Sequence, residues 1–289
     1  MKDFLCSTWN EAHRNKNAVL RRLQMMTSGM RALPAFIIIG AQRCWTSTLY
    51  LHLTKHPQIM GAVQKQKEVH FFDNAFDRGI DWYRSNFPLL ATMRLRGLVT
   101  GKGVITGEAS PYYLFHPHVA RRIAEAIPNV KLIALLRNPA ERAYSHYKHE
   151  VKIGLETLPF EEAIEKETVR VEPELARMLG DESYRSKTHQ EFSYVSRGIY
   201  VDQLKTYDKY FRRDQMLIIK SEDYFGDVQK TYDRVLTFLG LAPHSLGGVK
   251  RREPSSRNAG IPAVETRLNA YFQPHNRRLN EYIGINFES

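Results

Sequence analysis

The sequence predicts an α/β fold in which a mostly parallel sheet is covered by helices on both faces. Three observations carry that prediction. Short, largely apolar runs recur at 36–39, 104–106, 131–136 and 216–219, the pattern of strands buried on both faces. Helix-length stretches lie between them, so strands and helices alternate. Each run ends at a glycine or a polar cluster, where a strand-to-helix turn belongs.

In chain order, residues 1–33 are polar with scattered Met and Leu and read as an extension, with a helix around Asn17 to Met26. The β-branched run Phe36-Ile37-Ile38-Ile39 closes on Gly40, and a helix follows over Ser47 to Leu53. Val104-Ile105-Thr106 precedes Gly107-Glu108, Lys131 to Leu136 precedes Arg137-Asn138-Pro139, and Met216 to Ile219 precedes Lys220-Ser221-Glu222. Helices are expected at Val119 to Ile127, Ala140 to Val151, Tyr200 to Tyr210 and Tyr232 to Leu239. Residues 154–197 are charged and weakly periodic, which reads as helix plus a long loop. Lys250 to Ile261 is basic and punctuated by Gly and Pro, hence a loop, followed by a helix over Val264 to Ile283. No repeat or low-complexity tract is present, and 34–289 reads as one domain behind the extension.

Composition narrows the classes. At 289 residues, with 43% hydrophobic and 25% charged, the chain has enough apolar material for a core and is neither disordered nor collagenous. The formal charge of +11 attracts polyanions such as nucleic acid, anionic membrane, sulfated sugar or a nucleotide, or else marks a solvated basic face. Two cysteines, Cys6 and Cys44, make no disulfide framework or zinc site, so a reducing compartment is expected. The N-terminus lacks the apolar core of a signal peptide, and no run is long enough to span a bilayer. The expectation is a cytoplasmic protein, although a chain trimmed of an N-terminal anchor reads the same way.

Ligands in such sheets bind beyond the carboxyl ends of the strands, so the residues after each run are the candidates. Gly40-Ala41-Gln42-Arg43-Cys44-Trp45-Thr46-Ser47-Thr48 lies between strand and helix, where backbone N–H groups and a helix N-terminus cradle phosphate oxygens. Against the template G-x-x-x-x-G-K-[ST], Gly40 and Ser47 fit, but Thr46 replaces the lysine and Trp45 the second glycine. A cation stands instead at Arg43. The plain alternative is a strand–turn–helix junction with no ligand.

Ile37-Ile38-Ile39-Gly40-Ala41-Gln42-Arg43, followed by Thr46-Ser47-Thr48-Leu49-Tyr50, resembles the cofactor loop of sulfotransferases that use 3′-phosphoadenosine-5′-phosphosulfate (PAPS). The nearest branch holds heparan-sulfate-type and many bacterial enzymes, with a loop of the form I-I-G-x-Q-K-x-G-T-T-x-L-Y. Arg43 stands where that branch has lysine, keeping the charge on a bulkier planar head. Trp45 stands where it has glycine, which allows close backbone approach to the phosphosulfate.

Three further segments agree in order and spacing, and two later ones follow them. Lys67-Glu68-Val69-His70-Phe71-Phe72-Asp73 matches K-E-x-H-F-F, although alone it reads as a strand end with an exposed charge pair. Gly107-Glu108-Ala109-Ser110-Pro111-Tyr112-Tyr113-Leu114 resembles G-E-x-S-P-x-Y-L, or a Pro-punctuated turn that positions two core tyrosines. Arg137-Asn138-Pro139 through Ser145-His146-Tyr147 is the most diagnostic, with Pro139 suited to the first turn of a helix. Ser196-Arg197-Gly198-Ile199-Tyr200 resembles R-G-x-Y, and Arg257-Asn258-Ala259-Gly260 falls where the family has a basic loop over the nucleotide, or is solvent-exposed.

The resemblance implies a P-loop-like three-layer α/β fold and direct transfer of a sulfuryl group to an acceptor hydroxyl. It implies that Glu68 is the general base, that Arg43 stabilises the leaving phosphate, and that His70 positions the acceptor or shares the proton. The cofactor contacts it implies are Gln42, Arg43, Cys44, Trp45, Thr46, Ser47 and Thr48 around the 5′-phosphosulfate, with backbone N–H groups at 46–48. Arg137 and Ser145 hold the 3′-phosphate, and Arg197 and Arg257 lie near the nucleotide. The acceptor is a sugar, a lipid or another small metabolite, and 154–197 is a candidate lid or acceptor-side insertion. No metal is expected, because no carboxylates cluster at ligand spacing. A P-loop kinase is disfavoured by the missing lysine, and a degenerate nucleotide- or glycan-binding member is the other rival. Nucleic-acid binding is disfavoured because the basic residues are tied to strand ends rather than gathered on one face.

Overall fold

A computed structural model describes residues 19–63, 68–248 and 262–287. Lys67, the 250–261 loop with Arg257, and the chain before 19 lie outside the described residues. The elements in order are α1 (19–26), β1 (Phe36–Gly40), α2 (Thr46–Leu53), β2 (Ile59–Met60), α3 (Phe71–Asn74), α4 (Gly79–Arg84), α5 (Leu90–Thr100), β3 (Ile105–Ala109), α6 (Val119–Ala126) and β4 (Lys131–Leu136). They continue with α7 (Pro139–Lys152), α8 (Phe160–Glu165), α9 (Glu167–Gly180), α10 (Lys187–Glu191), α11 (Tyr200–Tyr207), β5 (Met216–Lys220), α12 (Ser221–Gly226), α13 (Val228–Leu239) and α14 (Pro262–Ile283).

The sheet runs β2-β3-β1-β4-β5 with every pairing parallel. β1 lies at the centre with all five residues buried, which is why its sequence is continuously apolar rather than alternating. One helical set, α2 with α13, packs against β1 and β3, and α6, α11, α14 and α7 form a second connected set. The chain leaves β3 on one side of β1 and reaches β4 on the other. This reversal opens a crevice at the carboxyl ends of β1 and β4.

Two glycines are dictated by contact. A Cβ on Gly40 would lie 2.7 Å from Leu114 Cβ, and one on Gly107 would lie 2.5 Å from the Phe36 ring. Gly107 therefore continues β3 instead of ending it, and Glu108 sits inside the strand rather than in the turn after it. β2 is only two residues long, too short for any periodicity to announce. Helix α7 starts at once after β4 because Asn138 accepts from the N–H groups of Ala140 and Glu141, with Pro139 at the first helical position. A cap of this kind contributes about 1 kcal/mol. The Asp227 side chain likewise starts α13 four residues earlier than its apolar pattern does.

The charged stretch 154–197, expected as helix plus a long loop, holds three helices, α8, α9 and α10. Phe160, Ala163 and Tyr194 share a second apolar cluster with Ala140 and Ala143 of α7 and Val264, Leu268 and Phe272 of α14. Polar groups pin it as well. The buried Arg142 guanidinium donates to Tyr194 O, and Glu167 accepts from the Val195 N–H at 2.5 Å and the Ser196 N–H at 2.8 Å.

Candidate active site

The crevice holds a cleft of about 460 Å³ lined by Gln42, Arg43, Trp45, Thr46, Ser47, Thr48, Glu68, Pro111, Arg137, Ser145 and His149. One wall is the β1–α2 loop. Its entry is fixed by the Ala41 N–H, which donates to Leu135 O of β4 at 2.7 Å. The loop then turns through left-handed backbone at Arg43 (φ 68°) and Trp45 (φ 67°). Trp45 is the N-cap of α2, so the N–H groups of the first helical turn emerge beside Thr46 and Ser47. The Thr48 N–H is already used by Trp45 O at 3.0 Å. The Trp45 indole meets Phe225 edge-on at 4.4 Å between centroids; it forms part of the wall.

Cys44 departs from the expectation. Its side chain is fully buried, burial pushes the thiol up to about 11, and its carbonyl accepts from Ser221 Oγ at 3.2 Å. Only its backbone belongs to the loop; the thiol faces the core because residue 44 lies between two left-handed turns.

The second wall comes from β4 and α7. Arg137 is held by Glu141 Oε2, 3.0 Å from Nε and 2.6 Å from Nη2. Ser145, two helical turns in, accepts from Arg43 Nε at 3.3 Å. Two cations and a hydroxyl distant in sequence thus converge. Burial pulls the Arg43 pKa down, with Arg137 adding to that effect and Glu150 opposing it. His149 lies one turn beyond Ser145 on the same helix face, and sequence reasoning missed it. The i, i+4 spacing from Ser145 is the signal that would have found it. Burial and the neighbouring Arg43 lower its pKa, which favours a neutral imidazole.

Opposite stands Glu68, its side chain about one-third exposed at 35%. His70 Nε2 lies 3.0 Å from Glu68 Oε2, and His70 Nδ1 lies 2.7 Å from the buried Asp73 Oδ2. Burial disfavours charge on His70, but the bonds to Asp73 and Glu68 outweigh it and raise its pKa to about 10. An imidazolium that donates both N–H groups has no lone pair for a proton. His70 bonds to Glu68 and Asp73 and does not itself line the cleft.

The segment carrying Glu68 hangs from β3 and its following turn. Glu108, fully buried, accepts from Tyr83 OH (2.5 Å), Ser110 Oγ (2.7 Å), the Val69 N–H (3.2 Å) and Tyr113 OH (3.3 Å). Burial pushes the Glu108 carboxyl up to about 7 against these donors. Ser110 Oγ accepts from the His70 N–H at 3.3 Å, and Tyr113 OH from the Phe71 N–H at 2.9 Å. The Glu-x-Ser-Pro-x-Tyr element is thus a hanger for residues 68–72, and Pro111 also reaches the cleft.

Arg197 is brought near the loop but not into the cleft. It is 1% exposed, burial lowers its pKa to about 9, and one of its bonds goes to Gln42 Oε1. It lies beneath the loop and does not itself line the cleft.

Residues 33–252 match the family described as the sulfotransferase domain. The chain is 24% identical to the membrane-associated sulfotransferase kil1 of Dictyostelium discoideum, over 89% of this chain and 66% of that protein. It is 28% identical to heparan sulfate glucosamine 3-O-sulfotransferase 6 of Mus musculus, over 90% of this chain and 74% of that one. With the bifunctional heparan sulfate N-deacetylase/N-sulfotransferase 3 of Homo sapiens the identity is 32%, over 73% of this chain and only 23% of that protein. Among solved structures, a sulfotransferase from Alicyclobacillus acidocaldarius is similar with a TM-score of 0.63 at 32% identity, covering 89% of this chain and 98% of that one.

Proposed function

Because the chain belongs to the sulfotransferase domain family, whose activity is PAPS-dependent sulfuryl transfer, we propose that the 460 Å³ cleft is where this protein carries out that transfer. The observation that carries the reading is the convergence on one cleft of Arg43, Arg137, Ser145 and the α2 N-terminus, with a single carboxylate, Glu68, facing them. Such a donor set fits a nucleotide that bears two anionic ends.

In this reading the first-turn N–H groups and hydroxyls of Thr46 and Ser47 hold the 5′-phosphosulfate, and Arg137 with Ser145 grips the 3′-phosphate. PAPS supplies an activated sulfuryl group on a phosphate leaving group. Glu68 takes the proton of the acceptor hydroxyl as its oxygen bonds to sulfur, and Arg43 stabilises the negative charge left on the phosphate as the sulfur–oxygen bond to it breaks. His70 keeps Glu68 in place by donating to Oε2, and Asp73 keeps His70 charged. The residues act by positioning and electrostatic stabilisation, as in phosphoryl transfer.

For the acceptor we favour a carbohydrate, since two of the relatives above are named for heparan sulfate and the chain is strongly basic. Residues 34–289 are read as one transferase domain. We place the protein in the cytoplasm on its cysteine usage and the buried free thiol of Cys44; among the described residues no helix is long and apolar enough to cross a membrane.

Thermal unfolding with 3′-phosphoadenosine-5′-phosphate (PAP), 5′-AMP and Mg·ATP at matched concentration tests the cofactor assignment. A ligand at about 100 times its dissociation constant stabilises by about 2.7 kcal/mol. A shift confined to PAP supports the reading; no shift, or a larger one with Mg·ATP, overturns it. Transfer of radiolabelled sulfuryl to a desulfated glycan, with a sterol and a phenol alongside, tests the acceptor class. Labelling of the sterol or phenol alone refutes a carbohydrate.

A further inference from the structure

Two helices near the amino ends of β1 and β3 expose their apolar stripes and turn polar side chains inward. In α1 (19–26) and the turn Ser28–Met30 that continues it, Val19, Leu23, Met26 and Met30 recur at i, i+4, i+7 and i+11, the spacing of one helical stripe. All four are more than half exposed, while Gln24 and Ser28 are buried. Arg21 also turns toward the protein: it donates to Asn86 Oδ1 at 2.8 Å and lies 4.8 Å from the centre of the Trp82 ring. Helix α5 repeats the inversion. Ala91, Leu95, Leu98 and Val99 face outward, with Leu98 and Val99 80% and 88% exposed. Arg96 instead reaches Pro57 O, at 2.7 Å, just before β2.

The two stripes are joined. Arg31 and Leu89 form an antiparallel bridge, backed by the Ala32 N–H donating to Pro88 O at 3.0 Å and by Arg31 Nη1 donating to Phe87 O at 2.8 Å. Met30 precedes that bridge and Leu90 follows it, so the two stand opposite each other across it, and both are exposed. The chain around them carries only positive charge. Residues 19–35 hold Arg21, Arg22 and Arg31, residues 84–104 hold Arg84, Arg94, Arg96 and Lys102, and neither segment contains Asp or Glu. Arg22, Arg94 and Lys102 are themselves exposed. An apolar surface rimmed by polar groups marks an interaction site, and here the rim has a single sign.

We propose that α1, the turn after it and α5 form a face that binds the surface of an anionic membrane. The outward Leu, Val and Met side chains enter the boundary between headgroups and acyl chains, as those of interfacial amphipathic helices do, and the Arg and Lys side chains meet the anionic headgroups. Charge selects this occupant over a second copy of the chain. A two-fold dimer sets the same patch against itself, here the same Arg and Lys side chains on both sides with no carboxylate from either segment between them, and such like-charge juxtaposition opposes association. The two segments lead into the amino ends of β1 and β3, whereas the cleft lies at the carboxyl ends. The inference stands independently of the PAPS reading.

Co-sedimentation of the full chain with lipid vesicles tests it, comparing phosphatidylcholine alone with phosphatidylcholine containing about one-third phosphatidylserine. At about 0.1 M salt the unmodified protein should bind the phosphatidylserine vesicles at least about tenfold more tightly, and raising the salt to about 0.5 M should remove most of that preference by screening. Leu98→Ser together with Val99→Ser removes the two most exposed apolar side chains of α5 and should weaken binding to these vesicles at least about tenfold. Arg94→Gln should weaken it about fivefold, the share of one cation near the surface. Both are surface changes and should leave the urea unfolding midpoint in place, which separates lost binding from lost folding. No preference for the phosphatidylserine vesicles, or binding unchanged in the Leu98→Ser/Val99→Ser protein, overturns the proposal. A dimer in sedimentation velocity that this double variant dissolves also overturns it and gives the face to a second copy.

Discussion

Replacing Trp45 by glycine and, separately, by alanine separates backbone strain from side-chain contact. Trp45 sits at φ 67° and ψ 21°, the left-handed region, as N-cap of α2. For a residue with a Cβ that conformation costs about 1–2 kcal/mol. Both substitutions remove the edge-on contact with Phe225 at 4.4 Å, an aromatic pair that contributes about 0.5–1.5 kcal/mol beyond area burial. Glycine alone relieves the backbone, offset by about 0.4–1 kcal/mol for the greater freedom of its unfolded chain. Alanine keeps the strain and is also the poorer N-cap, by about 1 kcal/mol. The sum makes Trp45→Gly more stable than Trp45→Ala by about 1–2 kcal/mol, the reverse of the order in a helix interior.

Urea unfolding followed by far-ultraviolet circular dichroism measures that difference directly, because a stability change at constant slope moves the midpoint. The same two proteins titrated with PAP show whether the indole restricts the nucleotide. Glycine should bind PAP at least as well as tryptophan does, since the loop is already in a conformation that glycine favours. A Trp45→Ala protein as stable as Trp45→Gly would refute the account of the loop, and PAP binding lost on Trp45→Gly would make the indole a contact instead of wall.

Glu68→Gln should lower sulfuryl transfer by about 10²–10⁴-fold, the range for a general base, and keep the PAP-induced thermal shift; retained turnover would remove Glu68 from that role. Arg137→Ala should narrow the preference for PAP over 5′-AMP by about 10–100-fold, the equivalent of a hydrogen bond to a charged group, read by competitive titration. His70 has a folded pKa of about 10 against an ordinary 6.5, so its stabilising contribution is complete below about 6.5 and is lost as pH rises through 10. The urea midpoint should therefore fall over that window, and Asp73→Asn, which removes the partner at 2.7 Å, should flatten the fall. An unchanged slope in that variant refutes the ion-pair assignment.

What could be read from the sequence follows from how local each feature is. β1, β4 and β5 announce themselves because burial on both faces demands apolar residues in succession; β3 shows only its start, since Gly107 and Glu108 interrupt its apolar run, and β2, with two residues at the sheet edge, carries no pattern. The Arg137–Ser145 wall was legible because a strand end, a cap and two helical turns write Arg137, Asn138, Pro139 and Ser145 into one stretch. The supports of Glu68 were not. Glu108 lies 39 positions from Val69, whose N–H it holds, and no spacing rule connects them. Arg197 was placed near the nucleotide by resemblance alone; the carbonyls of His189 and Gln190 with the Gln42 amide, which make it an interior residue, come from segments that no spacing rule connects. The charged stretch 154–197 holds more helix than its weak periodicity suggests because its charges pair with one another and with α14, as Arg170 does with Glu156 and Arg267 with Glu165.

The arrangement behind Glu68 also resolves an electrostatic conflict that the cleft would otherwise contain. A base for an acceptor hydroxyl must stand close to a transferring group that is itself anionic. Two like unit charges about 4 Å apart oppose each other by about 4 kcal/mol at an effective dielectric of about 20, so a bare carboxylate there would repel the ligand that it serves. His70 answers this from 3.0 Å away, and it stays cationic because the buried Asp73 holds its other nitrogen at 2.7 Å. Glu68 and His70 together present little net charge to the ligand. Arg43, across the cleft, is then free to answer the charge that develops on the leaving phosphate and does not have to neutralise the base. On this argument Asp73, which never reaches the cleft, sets ligand affinity as well as the orientation of the base, and Asp73→Asn should weaken PAPS more than PAP.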